Sequence, residues 1–470
     1  MIPSLDPGFL ASLPSRQEMV RTVADVTARK GSAVDVLRGA RGSGRPALQP
    51  RCGVGAHRAM LDLLTELEEG AAPDLLTVTI DSHTRLRRFA VAARTLRENP
   101  SHLNGYPLVT HGWRRGLELN AAVGAPLQIR HGSPDARELF VTAVAAGITS
   151  FEGGGISYNL PYSKDVPLET SLAAWHEVDR ACGVLYEEDG VIVDRELFGT
   201  LTAVLVPPSV SLAVTLLEAV AAADAGVRCV SISYPQGGNA VQDVAALRAL
   251  PVLAAVYLPP EVEVFPVLHQ FMGAFPRQPA AADALILYGA LVGRMGGAAK
   301  IVTKTNQEAH GIPDSRANVD GLRTAALAGS EFLDFLRLDE PAVEEEVHWI
   351  VREVRELVDP VLAAAGPAPG GTALAGAVAD AFRRGTLDIP FSASRHAKSD
   401  VLPGRDGHGA IRYRDAGALP FSAEVLRRNA AFAGQGGWGE PGMIPSITAD
   451  IGYFLTERAQ TRTREASPSR

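Results

Sequence analysis

Three arginines close short apolar runs early in the chain: Leu48-Gln49-Pro50-Arg51, Thr79-Ile80-Asp81-Ser82-His83-Thr84-Arg85 and Leu127-Gln128-Ile129-Arg130-His131-Gly132. If these runs are neighbouring parallel strands, the guanidinium groups converge on one mouth. They then repel one another unless an anion with more than one carboxylate or phosphate lies between them, because each planar fork pairs bidentately with such groups. The pattern predicts a dianionic ligand. A rim arginine bonded to a nearby Asp or Glu explains one such ending, but three in matching places are harder to explain that way.

A later run ends Thr149-Ser150-Phe151-Glu152-Gly153-Gly154-Gly155-Ile156-Ser157-Tyr158-Asn159-Leu160-Pro161-Tyr162. Three glycines after a strand-end carboxylate let a ligand approach the backbone closely. Glu152 is therefore the candidate catalytic group, able to pair with an ammonium or act as a base, and Tyr158 and Tyr162 add hydroxyls. The last run, Ala299-Lys300-Ile301-Val302-Thr303-Lys304-Thr305-Asn306-Gln307-Glu308, puts Lys300 and Lys304 on one face of a strand, where side chains alternate. Two such lysines suit phosphate binding or a Schiff base; a plain Lys304–Glu308 ion pair fits the stretch equally well. The 11 histidines show neither H-x-x-x-H nor H-E-x-x-H spacing, so no protein-bound metal is indicated.

Positioning these groups requires a large folded core, and the composition supplies one. The chain has 470 residues, 46% hydrophobic and 21% charged, with mean hydropathy +0.06, which is globular composition. A net charge of −8 gives no broad cationic surface for nucleic acid. The uncharged run from Phe198 to Leu217 is long enough to span a bilayer, but Pro207-Pro208 breaks it, and it reads as strand, turn and helix rather than a membrane segment. The N-terminus lacks a basic and then apolar leader, which points to the cytoplasm. Cys52, Cys182 and Cys229, with no C-x-x-C spacing, read as buried reduced thiols.

From residue 47 onward, apolar runs alternate with longer amphipathic stretches, the pattern of parallel strands joined by helices. The candidate strands are Ala47 to Arg51, Leu75 to Ser82, Tyr106 to His111, Pro126 to His131, Gly147 to Glu152, Leu201 to Val206, Val227 to Tyr234, Val262 to Gln270 and Ala298 to Lys304. That is one more than an eight-stranded barrel needs, so a miscount is expected. An open doubly wound sheet would show a G-x-G-x-x-G turn after its first strand, and Pro50-Arg51-Cys52-Gly53-Val54-Gly55 does not supply one. The expected fold is α/β: a (β/α)8 TIM-type barrel with an N-terminal helical extension and a C-terminal α+β appendage. The corresponding divisions are an extension over 1–46, a catalytic barrel over 47–330, a helical segment over 331–386 and a wrapping region over 387–470. Glu344 to Val358 is strongly patterned as a helix, and Pro360 is where it is expected to stop or kink.

The strand endings also resemble a known family. Leu75-Leu-Thr-Val-Thr-Ile-Asp-Ser82, Leu103-Asn-Gly-Tyr-Pro107, Arg130-His-Gly132, Ser150-Phe-Glu-Gly-Gly-Gly-Ile-Ser-Tyr-Asn159, Val206-Pro-Pro-Ser209, Gly238-Asn-Ala-Val-Gln-Asp243 and Thr303-Lys-Thr305 are similar to the epsilon (E) chain of glutamate mutase, also called methylaspartate mutase. The similarity continues into Asp388-Ile-Pro-Phe391 and Leu419-Pro-Phe-Ser422. The resemblance implies an adenosylcobalamin-dependent isomerase that interconverts L-glutamate and (2S,3S)-3-methylaspartate by a radical rearrangement through acrylate and a glycyl radical. It implies a small sigma subunit whose D-x-H-x-x-G loop ligates cobalt, and a homodimer within a heterotetramer. That loop is not expected here. Asp81-Ser82-His83 and Asp406-Gly407-His408 begin it, but Leu86 and Ile411 stand where glycine should follow.

By the same resemblance, Arg51, Arg85 and Arg130 clamp the two substrate carboxylates, which agrees with the dianion read from the arginines themselves. Glu152 contacts the substrate ammonium, and His131, Tyr158 and Tyr162 complete the substrate shell. Gly53, Asn104, Pro161, Phe275, Lys304, Glu308 and Ile312 contact the cofactor. Cys52 stands where the family has glycine, His83 where it has tyrosine, and Tyr234-Pro235-Gln236-Gly237 where it has Tyr-Gly-Gln-Val, which leaves open a substrate related to glutamate. Two other readings compete. One is a cobalamin-independent lyase or aldolase using Lys300 or Lys304; the other is an inactive homologue that only binds the sigma subunit.

Overall fold

The structure, a computed structural model, describes residues 4–200, 204–310, 313–366, 371–433 and 443–455. Eight short strands share one parallel sheet: β1 (Ala47–Gln49), β2 (Leu76–Thr79), β3 (Leu127–Arg130), β4 (Ser150–Glu152), β5 (Asp194–Phe198), β6 (Cys229–Pro235), β7 (Glu263–His269) and β8 (Lys300–Val302). Their order is β1-β8-β7-β6-β5-β4-β3-β2, so the ends of the list are β1 and β2. Leu75 N donates to Leu48 O (3.4 Å) and Thr79 N to Cys52 O (2.9 Å), which brings those two strands side by side and nearly closes the barrel. The expected (β/α)8 architecture is the one observed. The helices cover the outside, as in His57–Ala71, whose Met60, Leu64 and Leu67 are buried at helical spacing.

Barrel interiors are usually filled by branched apolar side chains; this one is polar. Gln49 Nε2 donates to Thr77 Oγ1 and Gln128 Oε1 (both 2.9 Å), and Gln128 Nε2 to Ser150 Oγ (2.9 Å) and Glu196 Oε2 (2.8 Å). Ser150 and Ser231 donate to Asp194, Ser233 donates to Glu196, and so does Lys300. Burial of so many polar groups is tolerable because they satisfy one another.

Three expectations are corrected. The sixth candidate, Leu201 to Val206, lies partly outside the described residues (201–203), and its remainder, 204–206, is irregular chain leading into the helix Pro208–Asp224 rather than strand. The strand between β4 and β6 is β5, a stretch that is not among the candidate strands. Tyr106 to His111 is not a strand either; a single bridge joins Tyr106 to Ile80, and Leu108–His111 is one helical turn. Pro360 does not end its helix, which runs Glu340–Ala365. That helix packs on Pro208–Asp224 and Ala240–Tyr257, and this packing outweighs the hydrogen bond lost at proline.

The N-terminal residues form the helices Pro7–Ala11, Arg16–Lys30 and Ala33–Ser43, the last two opened by capping boxes at Ser15/Glu18 and Ser32/Asp35. Toward the C-terminus, β9 (Leu402–Arg405) and β10 (Ile411–Asp415) make an antiparallel pair. Among the described residues one helix, Ala240–Tyr257, is long and apolar enough to cross a membrane by composition; it lies against β6, β7 and three neighbouring helices.

Candidate active site

The groups singled out from the sequence gather at the C-terminal ends of β1 to β4. Arg130 is the last residue of β3 and Glu152 the last of β4, both buried and ion-paired through Arg130 Nη2. Burial pushes the Glu152 carboxyl up to about 7, against the opposing pull of Arg130. Glu152 is rigidly mounted. Arg195 of β5, facing the opposite way from Glu196, donates to Phe151 O (2.7 Å) and Gly153 O (2.8 Å) while its Nε holds Asp179 (2.7 Å). One guanidinium thus grips the backbone on both sides of Glu152.

The glycine-rich segment then turns the chain over the mouth. Gly153 has φ +126°, and a Cβ there would lie 2.6 Å from the rings of Trp175 and Tyr158. Glu218 accepts from Ile156 N (2.7 Å) and Ser157 N (2.9 Å), fixing the turn that carries Tyr158 and Tyr162. Their rings meet edge to face at 6.2 Å. Burial raises the Tyr158 hydroxyl well above its usual value, with the Glu152 charge adding to the effect.

His131 stacks on Trp175 with centroids 5.5 Å apart. Its Nδ1 accepts from Ser133 N (3.1 Å), so the proton of the neutral ring belongs on Nε2. Burial, reinforced by Arg85 and Arg195, holds the ring well below its ordinary pKa and therefore neutral. Nε2 is buried and makes no hydrogen bond of ordinary geometry among the described residues, while the Glu152 backbone beside the ring acts against the lowering of its pKa.

Arg85 ends the short helix Ser82–Arg85, capped by Asp81, whose Oδ1 accepts from His83 N (2.9 Å) and Thr84 N (3.1 Å). Its Nε donates to Ile80 O (2.8 Å), and its terminal nitrogens have no partner among the described residues. Arg51, just past β1, is exposed and likewise has no hydrogen-bond or ion-pair partner among them. Burial raises the Tyr162 phenol, and the charges of Arg85, Arg51 and Arg130 all act to pull it back down.

The cofactor candidates are partly brought together. A Cβ at Gly53 or at Gly105, the neighbour of Asn104, would lie 2.5 or 2.7 Å from the carbonyl oxygen of Thr79 at the end of β2, so both positions leave room only for glycine. Asn104 is exposed and accepts from Ser82 N (2.9 Å) through Oδ1. Lys304 donates to Glu308 (3.0 Å), and burial, followed by the nearby Arg51 charge, lowers its pKa. Pro161 lies in the turn between the two tyrosines. Phe275 is only 2% exposed and presents almost no side-chain surface, and Ile312 lies outside the described residues. The two lysines are not a pair: Lys304 sits at the mouth, whereas Lys300 is buried inside the barrel and donates to Glu196 (2.5 Å). Cys52 turns into the wall, its Sγ donating to Thr77 O (3.0 Å), with burial pushing the thiol up to about 12.

Sequence reasoning missed Glu196, Arg195, His269 and Glu218. Glu196 is the hub of the interior, and its signal was the run Asp194-Arg195-Glu196 ahead of Leu197-Phe198. Ligand atoms of Glu152, Glu196 and His269 lie within 4.8 Å of one another, the spacing of a metal site, but Arg130 and Lys300 already donate into the carboxylates. His269, with Nε2 3.0 Å from Glu196, is kept neutral by burial and by Arg130, its pKa lowered to about 3.

Fold and mouth together define a (β/α)8-barrel protein with cationic forks and one buried carboxylate at the catalytic end of its strands. More particularly, the chain belongs to the methylaspartate mutase E chain (MutE) family, whose model matches residues 28–433. It is 43% identical over 385 residues to a glutamate mutase epsilon subunit of Desulfitobacterium hafniense strain Y51, covering 80% of this chain and 78% of that one. A protein of the same name from Halobacterium salinarum is 43% identical over 387 residues (82% and 80% covered), and one from Escherichia coli O157:H7 is 41% identical over 396 (82% and 80%).

Proposed function

We propose that this chain is the catalytic subunit of a glutamate mutase, an isomerase that interconverts L-glutamate and (2S,3S)-3-methylaspartate with adenosylcobalamin. The carrying observation is the buried Arg130–Glu152 pair at the ends of β3 and β4, with Arg51 and Arg85, whose terminal nitrogens have no partner among the described residues, adding positive charge that acts on the nearby Tyr162. In this reading the forks take the two substrate carboxylates. Glu152 exchanges Arg130 for the substrate ammonium, and its carboxyl, held near neutrality, can take or return a proton there. His131 Nε2–H and the hydroxyls of Tyr158 and Tyr162 donate to substrate oxygens, and the turn fixed by Glu218 shields the site from water.

The residues present fit the cofactor. The exposed Asn104 amide and the buried Lys304, paired with Glu308, supply donors and acceptors, and Gly53 and Pro161 add backbone surface. Asn104, Lys304 and Glu308 would hold its polar groups, with Phe275 and Ile312 as further contacts. When bound, adenosylcobalamin supplies, by homolysis of its cobalt–carbon bond, the radical that opens the rearrangement. A small sigma subunit would ligate the cobalt, and two catalytic chains would pair within a heterotetramer. A cytoplasmic setting is supported by three cysteines buried as free thiols.

The test is to mix the purified chain with adenosylcobalamin, a cobalamin-binding sigma subunit and L-glutamate and to follow 3-methylaspartate by proton NMR. Product that requires both cofactor and sigma subunit is expected. Absence of product with a competent sigma partner overturns the reading, and borohydride trapping of substrate on a lysine would replace it with the aldolase.

A further inference from the structure

Arg130 is asked to do two things. It must face the mouth, yet it is anchored from beneath. Its Nη1 donates to Gln128 Oε1 (3.2 Å) and Glu196 Oε1 (3.1 Å), which accounts for both protons on that nitrogen. Its Nη2 faces Glu152, with His269 Nε2 3.5 Å to one side. Glu196 is held in turn from every side of the barrel: Lys300 of β8 (2.5 Å), His269 of β7 (3.0 Å), Ser233 of β6 (2.9 Å) and Gln128 of β3 (2.8 Å) all donate to it. Asp194 lies below on the same strand and Glu152 above on β4. Phe198 stacks on His269 at 4.1 Å and closes the remaining side. Glu196 is fully buried. Its charge is nevertheless retained, because Lys300 and Arg130 outweigh the cost of burial and hold it well below the carboxylate range.

We propose that Glu196 is the positioning residue of the site: with Gln128 it locks the Nη1 corner of Arg130 inside the barrel, so that the Nη2 edge is presented to Glu152 and to a substrate carboxylate. The inference rests on the mutase reading for its kinetic readout, but the geometry stands apart from it. Lys300 belongs to the same device. It is the counter-charge that lets Glu196 stay ionised beneath an arginine which must remain free to change partners above. This gives the interior lysine a role in which its amine never meets a carbonyl.

Two variants test this, Glu196→Gln and the charge-balanced Glu196→Gln/Lys300→Met, each assayed with sigma subunit, adenosylcobalamin and L-glutamate after cofactor binding and thermal unfolding have been compared with the parent chain. Loss of a charge-assisted anchor is expected to raise KM for glutamate by about tenfold in both. The pH profiles should separate them. Glu196 is a negative charge that opposes ionisation of Glu152, so the acid limb of kcat/KM should move to lower pH in Glu196→Gln and return in the double variant. A purely structural role would lower the amount of folded protein and leave both KM and the limb in place.

KM within about twofold of the parent in the double variant overturns the proposal. So does an unmoved limb in a folded Glu196→Gln. If the parent chain itself gives no product, the mutase reading has failed, and a crystal structure of the double variant decides the positioning claim: Arg130 displaced from Glu152 supports it, and Arg130 unmoved overturns it.

Discussion

Arg130 is ion-paired to two carboxylates while Arg51 and Arg85 are ion-paired to none among the described residues, and that inequality bears on which residues are available to a ligand. Arg85 spends one nitrogen on the Ile80 carbonyl and offers the rest of a planar fork. A lysine there keeps the charge but loses both the Ile80 anchor and the bidentate geometry. Arg85→Lys is therefore expected to raise KM for glutamate and lower kcat, with kcat/KM down by about one to two orders of magnitude in steady-state assays. Unchanged kinetics would remove Arg85 from the clamp. At Glu152 the expected signature is pH dependence. Burial raises this carboxyl to about 7, so it is neutral below that pH and carries the charge an ammonium needs only above it. kcat/KM should fall as pH drops through about 7, and Glu152→Gln should lower activity and flatten that limb; a limb that survives in Glu152→Gln belongs to another group.

The strand-to-loop transition after β4 illustrates what an element contributes that its residues alone do not. Gly153 occupies left-handed backbone with Trp175 and Tyr158 against it, and Gly154 leaves no room for a Cβ beside the Glu218 carboxylate. Gly153→Ala is expected to destabilise the chain by about 1–3 kcal/mol in denaturant titration and to lower kcat more than cofactor affinity, because Tyr158 must move. Stability and kcat both within error of the parent would show that the turn adjusts freely. Elements also explain why the site was only partly legible. Arg51, Arg85, Arg130 and Glu152 could be read because each closes, or closely follows, an apolar run at the barrel mouth, where chemistry is expected. Glu196 and Arg195 could not, because a parallel strand buried on both faces is normally apolar, and β5 begins with three charges. Those charges are tolerable only through partners on Ser150, Ser231, Asp179, Lys300 and Arg130, and no local pattern brings those partners together. The apolar stretch just after β5 took its place in the count, and Tyr106 to His111 was one strand too many because apolar composition does not separate a strand from a single helical turn.

For the whole molecule, the charges of Arg51 and Arg130 act on Lys304, and a dianion taken between such cations would offset their mutual repulsion. Burial, and then the nearby Arg51 charge, lower the Lys304 pKa, as expected of like charges held together. A ligand that binds only the folded chain stabilises it by RT ln(1 + [L]/Kd), about 2.7 kcal/mol at a hundred times Kd. Arg51 is the residue on which these two effects separate, because it is exposed and has no hydrogen-bond or ion-pair partner among the described residues. Arg51→Ala should leave the unliganded unfolding midpoint unchanged or slightly raised, since it removes repulsion and breaks no bond. It should also abolish most of the glutamate-induced rise in that midpoint. Thermal unfolding with and without L-glutamate, on the parent and the variant, makes the comparison without turnover, cofactor or partner subunit. A variant that loses stability without ligand would show that Arg51 supports the fold, and one that keeps the full ligand-induced rise would show that the dianion is held by Arg85 and Arg130 alone.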